Sequence, residues 1–152
     1  KDSVMKVENE KVGRKQLTLK QLTLGQTYKA SFAITAELIE GFARVTGDDN
    51  PIHLDENYAR QTIFEKRVAQ GMLGAGLLSG VLGCQFPGTG TIYLSQTLKF
   101  LKPVFIGDEI TLRLEVLEII NAKNRVRLQT AFTNQNGEAV ITGEAVVMPP
   151  SQ

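Results

Sequence analysis

The chain has 152 residues, 42% of them apolar and 22% charged, a balance that suits one soluble domain built on one core. The formal net charge is +1 and no basic cluster is interleaved with aromatics, so neither nucleic acid nor an acidic membrane surface is an expected partner. Cys84 and His53 are each alone of their kind, which excludes a disulfide framework and a multi-cysteine zinc site.

No stretch reads as a secretory leader, and the longest apolar run is too short and glycine-broken to span a bilayer. A reducing cytoplasm is the expected setting. Residues Lys1 to about Lys15 are polar without a clear period and read as a loosely attached arm, within an extension over residues 1–24. In "QTYKASFAIT", Tyr28, Ala30, Phe32 and Ile34 alternate with polar residues, the period of a half-buried strand. The period then lengthens. Leu38, Phe42 and Val45, with Ile39 beside them, form a helical stripe, with Thr35 as N-cap, Glu37 in the first turn and Gly47 as the stop. Asp55 can cap a further short helix through Tyr58 and Ala59.

"GMLGAGLLSGVLGC", Gly71 to Cys84, carries no charge and only one hydroxyl, Ser79. A helix apolar all round must be surrounded. Interior glycines weaken it by roughly 1 kcal/mol each against alanine, so close packing on a sheet has to compensate. Pro87-Gly88 marks a turn, and strand patterns follow. Ile92, Leu94, Leu98 and Phe100 alternate; so do Ile110, Leu112, Leu114 and Val116; so do Val126, Leu128 and Phe132. Gly107-Asp108 and Asn136-Gly137 are turns, the second a strong hairpin signal leading into "EAVITGEAVVM". One strand and the helices come first and a run of antiparallel strands second. That order is α+β, most economically a curved sheet wrapped around the Gly71–Cys84 helix. No linker or internal repeat divides the chain.

Chemistry concentrates in "GDDNPIH", Gly47 to His53. Pro51 biases Asn50 away from helical geometry, and Asp48 lies five residues from the single imidazole. A carboxylate and a histidine held around one water can move protons near neutral pH. From spacing alone, a solvated polar turn and a proton-transfer site stand roughly even. Gly71 opens a helix, where free N–H groups can bind an anion or an oxyanion, although a simple N-terminal glycine or tight helix–sheet contact is the favoured reading of a glycine there. "GAGLLSG" fails as a nucleotide loop: Ser79 stands where a glycine is required, and no strand feeds into it. Ser79 has no nucleophile-elbow pattern around it, and Cys84 reads as a small buried hydrophobe rather than a reactive thiol.

"FARVTGDDNPIHLDENYA", Phe42 to Ala59, resembles the signature of the (R)-specific enoyl-CoA hydratases of the MaoC-like group: Gly-Asp, then Asn-Pro-aliphatic-His, then a small residue six positions on. "QGMLGAGLLSGVLGCQFPGTGTIYLSQTLKFLKPVFIGDEI" and "TGEAVVMP" resemble the central helix, following strands and last strand of the short bacterial enzymes that feed polyhydroxyalkanoate synthesis. The resemblance covers about Gly25 to Pro149. It departs at Gln70, where a histidine is expected before Gly-Met.

The resemblance implies a hot-dog fold, a homodimer and an acyl-CoA substrate, with no metal or redox cofactor. It implies that Asp48 and His53 hold and activate a water, that Asn50 helps order the site, and that the Gly71 N–H polarises the thioester carbonyl. It further implies that Ser79, Leu82 and Val146 line the acyl pocket. The reaction implied is reversible hydration of a trans-2-enoyl-CoA to an (R)-3-hydroxyacyl-CoA. A dehydratase acting on acyl-carrier-protein substrates, a hot-dog thioesterase and a non-enzymatic acyl-CoA binder are the alternatives. Lys99 and Lys102 are candidate partners for the CoA phosphates.

Overall fold

The computed structural model describes residues 14–151. Its elements are β1 (Thr27–Ala33), α1 (Ala36–Thr46), α2 (Pro51–Leu54), α3 (Glu56–Arg60) and α4 (Gly71–Cys84), followed by β2 (Ile92–Gln96), β3 (Lys99–Phe100), β4 (Glu109–Ile120), β5 (Arg125–Thr133) and β6 (Ala139–Met148). All six strands form one sheet, ordered β1-β4-β5-β6-β2, with β3 also paired to β6. Every pairing is antiparallel.

Alternation sets the sheet's inner face. Ala30 and Phe32 of β1, Ile110, Leu112, Leu114 and Val116 of β4, and Val126, Leu128 and Phe132 of β5 are all buried. They meet Leu77, Leu78, Val81 and Leu82 of α4 in one core. Thr130 is buried in the same phase of β5, where its hydroxyl accepts a hydrogen bond from Gln96 Nε2 at 2.9 Å. Gly143 of β6 permits a close crossing near this point: a Cβ there would lie 1.8 Å from the Thr97 carbonyl oxygen.

Three expectations need correction. The α1 stripe is Ile39 and Ala43 with Leu38 and Phe42 beside it, whereas Val45 is 88% exposed. At 100° per residue Val45 stands well over a quarter-turn from the Ile39–Ala43 face. In β2 the expected face is reversed. Tyr93 packs against the core, while Ile92 and Leu94 lie outside, and the register slips between Tyr93 and Ser95. Finally, α4 is not enclosed by its own chain. Its buried side faces the sheet, Met72, Gly76 and Ser79 lie exposed on the other side, and Cys84 at its end is exposed rather than buried.

The expected loose arm falls outside the described residues except for its last two. Lys15 is held, donating its N–H to the Cys84 carbonyl at 3.1 Å, and Leu17 donates to Pro87 at 2.8 Å. Leu19 and Leu22 join the core, so the described part of residues 1–24 is packed against the end of α4 rather than detached. Among the described residues, no helix is long and apolar enough to cross a membrane.

Candidate active site

Local hydrogen bonding explains why the chain turns sharply between α1 and α2. Thr35 caps α1 by accepting from the Leu38 N–H at 3.2 Å, and Gly47 ends it in the left-handed region at φ +79°. Thr46 Oγ1 then accepts the Asp48 N–H at 3.1 Å. Asn50 Oδ1 accepts the Ile52 N–H at 3.2 Å and so caps α2, with Pro51 at its first position. Asp55 caps α3 through the Tyr58 N–H at 3.0 Å. Asp48 is left on the turn and His53 on the single turn of α2.

The two side chains come together. His53 Nε2 lies 3.8 Å from Asp48 Oδ2, with the imidazole largely buried and the carboxylate 44% exposed. That separation is too long for a direct hydrogen bond and short enough for a shared water. The tautomer follows from the other nitrogen. His53 Nδ1 lies 2.7 Å from the Val68 carbonyl, which can only accept, so Nδ1 carries the hydrogen. A neutral His53 therefore presents a lone pair at Nε2, toward Asp48.

The segment between α3 and α4 ties the site together. Arg67 Nε donates to the His53 carbonyl at 2.7 Å, and Val68 N–H to Ile52 at 3.3 Å. Ala69 N–H donates to Val104 at 2.7 Å. Gln70, 3% exposed, donates Nε2 to the Ile39 carbonyl of α1 at 3.0 Å. Gly71 follows as the first residue of α4, where N–H groups fall outside the helical ladder and carry the positive end of its dipole. A Cβ here would lie 2.7 Å from Phe100 Cε1, so any larger residue would have to displace that ring.

Asp48 and Gly71 border one cavity of about 510 Å³. Its wall is otherwise mostly apolar, with Leu77, Ile110, Phe132 and Ile141 among its residues and Gln70 and Lys102 as polar members. Asn50 and His53 stand outside its wall, Asn50 as a cap and His53 behind Asp48. Ser79, Leu82 and Val146 do not border this cavity within one chain. Ser79 is exposed on the outer side of α4; Leu82, 1% exposed, sits about 16 Å along the helix from Gly71 at 1.5 Å per residue; Val146 is paired to both Ser95 and Arg127. Lys102 borders the cavity but is paired with Glu138, whose carboxyl it holds below the ordinary range with help from Asn134. Lys99 is exposed on β3.

Residues 9–138 match the family model described as MaoC like domain. The chain belongs to the MaoC-like family. A 3-hydroxybutyryl-CoA dehydratase of Methylorubrum extorquens is 43% identical to this MaoC-like chain over 136 residues, 90% of the chain and 86% of the relative. An (R)-specific enoyl-CoA hydratase of Aeromonas caviae is 42% identical over 134 residues, covering 88% of the chain and all of the relative. The structure of the R-hydratase PhaJ1 from Pseudomonas aeruginosa, unliganded, superposes with a TM-score of 0.87 at 44% identity, over 90% of this chain and 88% of that one. The fold is the hot dog, an antiparallel sheet packed on one central helix.

Sequence reasoning missed Val68, Arg67 and Gln70. A backbone carbonyl that selects a tautomer leaves no trace in residue identity. Gln70 did leave one, as the departure from the family pattern beside Gly71.

Proposed function

We propose that this chain is an (R)-specific enoyl-CoA hydratase, adding water reversibly across the double bond of a trans-2-enoyl-CoA. One observation carries the reading: a carboxylate and a tautomer-fixed imidazole 3.8 Å apart, with the carboxylate on the same apolar cavity as the N-terminus of α4. In the reaction, the water between Asp48 and His53 loses a proton to the pair as its oxygen bonds to the β-carbon. The β-carbon–α-carbon π electrons move toward the thioester, whose oxygen gains negative charge as an enolate. The Gly71 N–H stabilises that charge from the helix terminus. The pair returns a proton to the α-carbon, giving an (R)-3-hydroxyacyl-CoA. The thioester itself activates the carbons, so the steps call on no metal or redox group.

We further propose a homodimer. The exposed side of α4 and the outer edge of β2, with Ile92 54% and Leu94 39% exposed, are apolar surfaces a second copy can cover.

The test is loss of the enoyl-thioester absorbance band with crotonyl-CoA, followed by chiral analysis of the product and a thiol reagent in parallel. Hydration to the (R)-alcohol without thiol release is expected. Thiol release without hydration would replace the reading with a thioesterase, and an (S)-product would overturn the stereochemistry.

A further inference from the structure

We propose that Phe100 is a positioning residue for the oxyanion donor: its ring lies against Gly71 and keeps water from the N–H that receives the thioester's charge. The inference rests on the hydratase reading and deepens it at the donor's surroundings.

The N-terminus of α4 is open. Gly71 and Met72 are both exposed, and a glycine has no side chain with which to cover its own N–H. A helix-terminal N–H left in water is already hydrogen-bonded to it. Its pull on a developing charge is also screened, roughly fourfold more than at a partly desolvated site. An oxyanion donor in this position therefore needs a cover from another part of the chain.

One ring stands where the missing side chain would be. A Cβ built on Gly71 would lie 2.7 Å from Phe100 Cε1, 2.9 Å from Cδ1 and 3.1 Å from Cζ, so an edge of the phenyl ring fills that place. Phe100 is 52% exposed, so core burial does not account for its ring, and it borders the cavity together with Gly71 and Asp48. Gly76, Gly80 and Gly83 of the same helix differ: a Cβ on any of them meets nothing within 4 Å.

Backbone bonds hold the ring in place. Strand β3 is only two residues long, but Phe100 pairs with Ile141 of β6. The Leu101 and Lys102 N–H groups then both donate to the Val140 carbonyl, at 2.8 and 3.3 Å. Further along, the Val104 carbonyl accepts the Ala69 N–H at 2.7 Å, two residues before Gly71. The segment that carries the ring and the segment that carries the donor are thus tied to each other, and the ring's place over the glycine is set by the fold.

Phe100→Ala should lower kcat for crotonyl-CoA roughly 10- to 100-fold, short of the 10²–10³ that follows outright removal of an oxyanion donor. Infrared spectra of bound butyryl-CoA, isotopically labelled at its carbonyl carbon, read the hydrogen bond without turnover. In the unaltered protein the carbonyl stretch should lie below that of the free thioester in buffer. In Phe100→Ala it should return toward the free value, a change that a merely structural role for the ring would not produce. An exchange of sizes tests the contact itself. Gly71→Ala keeps the N–H and sets a methyl against the ring, so kcat should fall. Adding Phe100→Val removes the ring atoms that the methyl meets, and the double variant should turn over faster than Gly71→Ala alone.

Crotonyl-CoA hydration by the unaltered protein decides the hydratase reading separately. A carbonyl stretch that is the same in folded Phe100→Ala as in the unaltered protein overturns the proposal, whatever the variant's kcat. So does a Gly71→Ala protein as active as the unaltered one, or a double variant no faster than Gly71→Ala.

Discussion

Replacing Asp48 by asparagine keeps the side chain's shape and removes its charge and basicity. The structure sets the expected size of both consequences. The carboxylate is 44% exposed and its 3.8 Å approach to His53 is longer than a direct hydrogen bond, so the pair contributes at most about 1 kcal/mol to stability. The Asp48 backbone N–H bond to Thr46 and the Asn50 cap do not involve the changed atoms, so the turn should persist. Catalysis is different. A water facing only Nε2 of His53 loses one of two oriented acceptors, and loss of a positioned acid or base lowers turnover by about 10²–10⁴. That range is about 3–5 kcal/mol of transition-state stabilisation. Loss should fall on kcat for crotonyl-CoA, with KM little changed, because the proposed partner of Asp48 is the water rather than the bulk of the substrate. His53→Gln should lose a similar factor while its amide can still donate to Val68. A folded Asp48→Asn protein, by circular dichroism, with kcat within tenfold of the unaltered enzyme would refute the water-sharing arrangement.

Gly143→Ala should destabilise by more than about 3 kcal/mol, since its Cβ would sit 1.8 Å from a backbone oxygen that cannot swing aside; a urea midpoint close to the unaltered protein's would contradict the crossing. Burial raises the Tyr93 phenol from its ordinary value of 10.0 to about 12. The unfolded tyrosine thus loses its proton first, and the stability held by the neutral phenol is complete below pH 10 and lost as pH rises to about 12. In Tyr93→Phe the fall of melting temperature across that window should be shallower, as scanning calorimetry at stepped alkaline pH would show. Light scattering at micromolar concentration should return the mass of two chains; a monomer mass would leave the exposed side of α4 and the β2 edge needing another cover.

Legibility varied with the range of the interactions. The bounds of α4, the Thr35 cap and the Gly47 stop are local rules, and the structure follows them. The inner faces of β4 and β5 were likewise readable from alternation. The β2 face was not, because the slip between Tyr93 and Ser95 answers to pairing with β6, a strand some fifty residues later in the chain. The open side of α4 escaped for a related reason. Its residues are apolar on every side, and a pattern without contrast cannot say which side its own sheet will cover. Asp48 and His53 stood out through their spacing. What decides the imidazole's hydrogen is the Val68 carbonyl, a group every residue possesses.

The stretch from Arg67 to Gln70 has a consequence for the entropy of the reaction. Its bonds reach the His53 carbonyl, the His53 ring, Val104 and α1, and it ends at Gly71. In the proposed mechanism, base and oxyanion donor are therefore fixed relative to one another as the protein folds, and binding substrate need not align them. Such prior alignment accounts for a large share of many enzymatic rate enhancements. Loosening the stretch, as by Arg67→Leu, would then slow the reaction through a more negative activation entropy with little change in activation enthalpy. The rate defect would lie in how seldom the parts face each other, not in how strongly they act when they do.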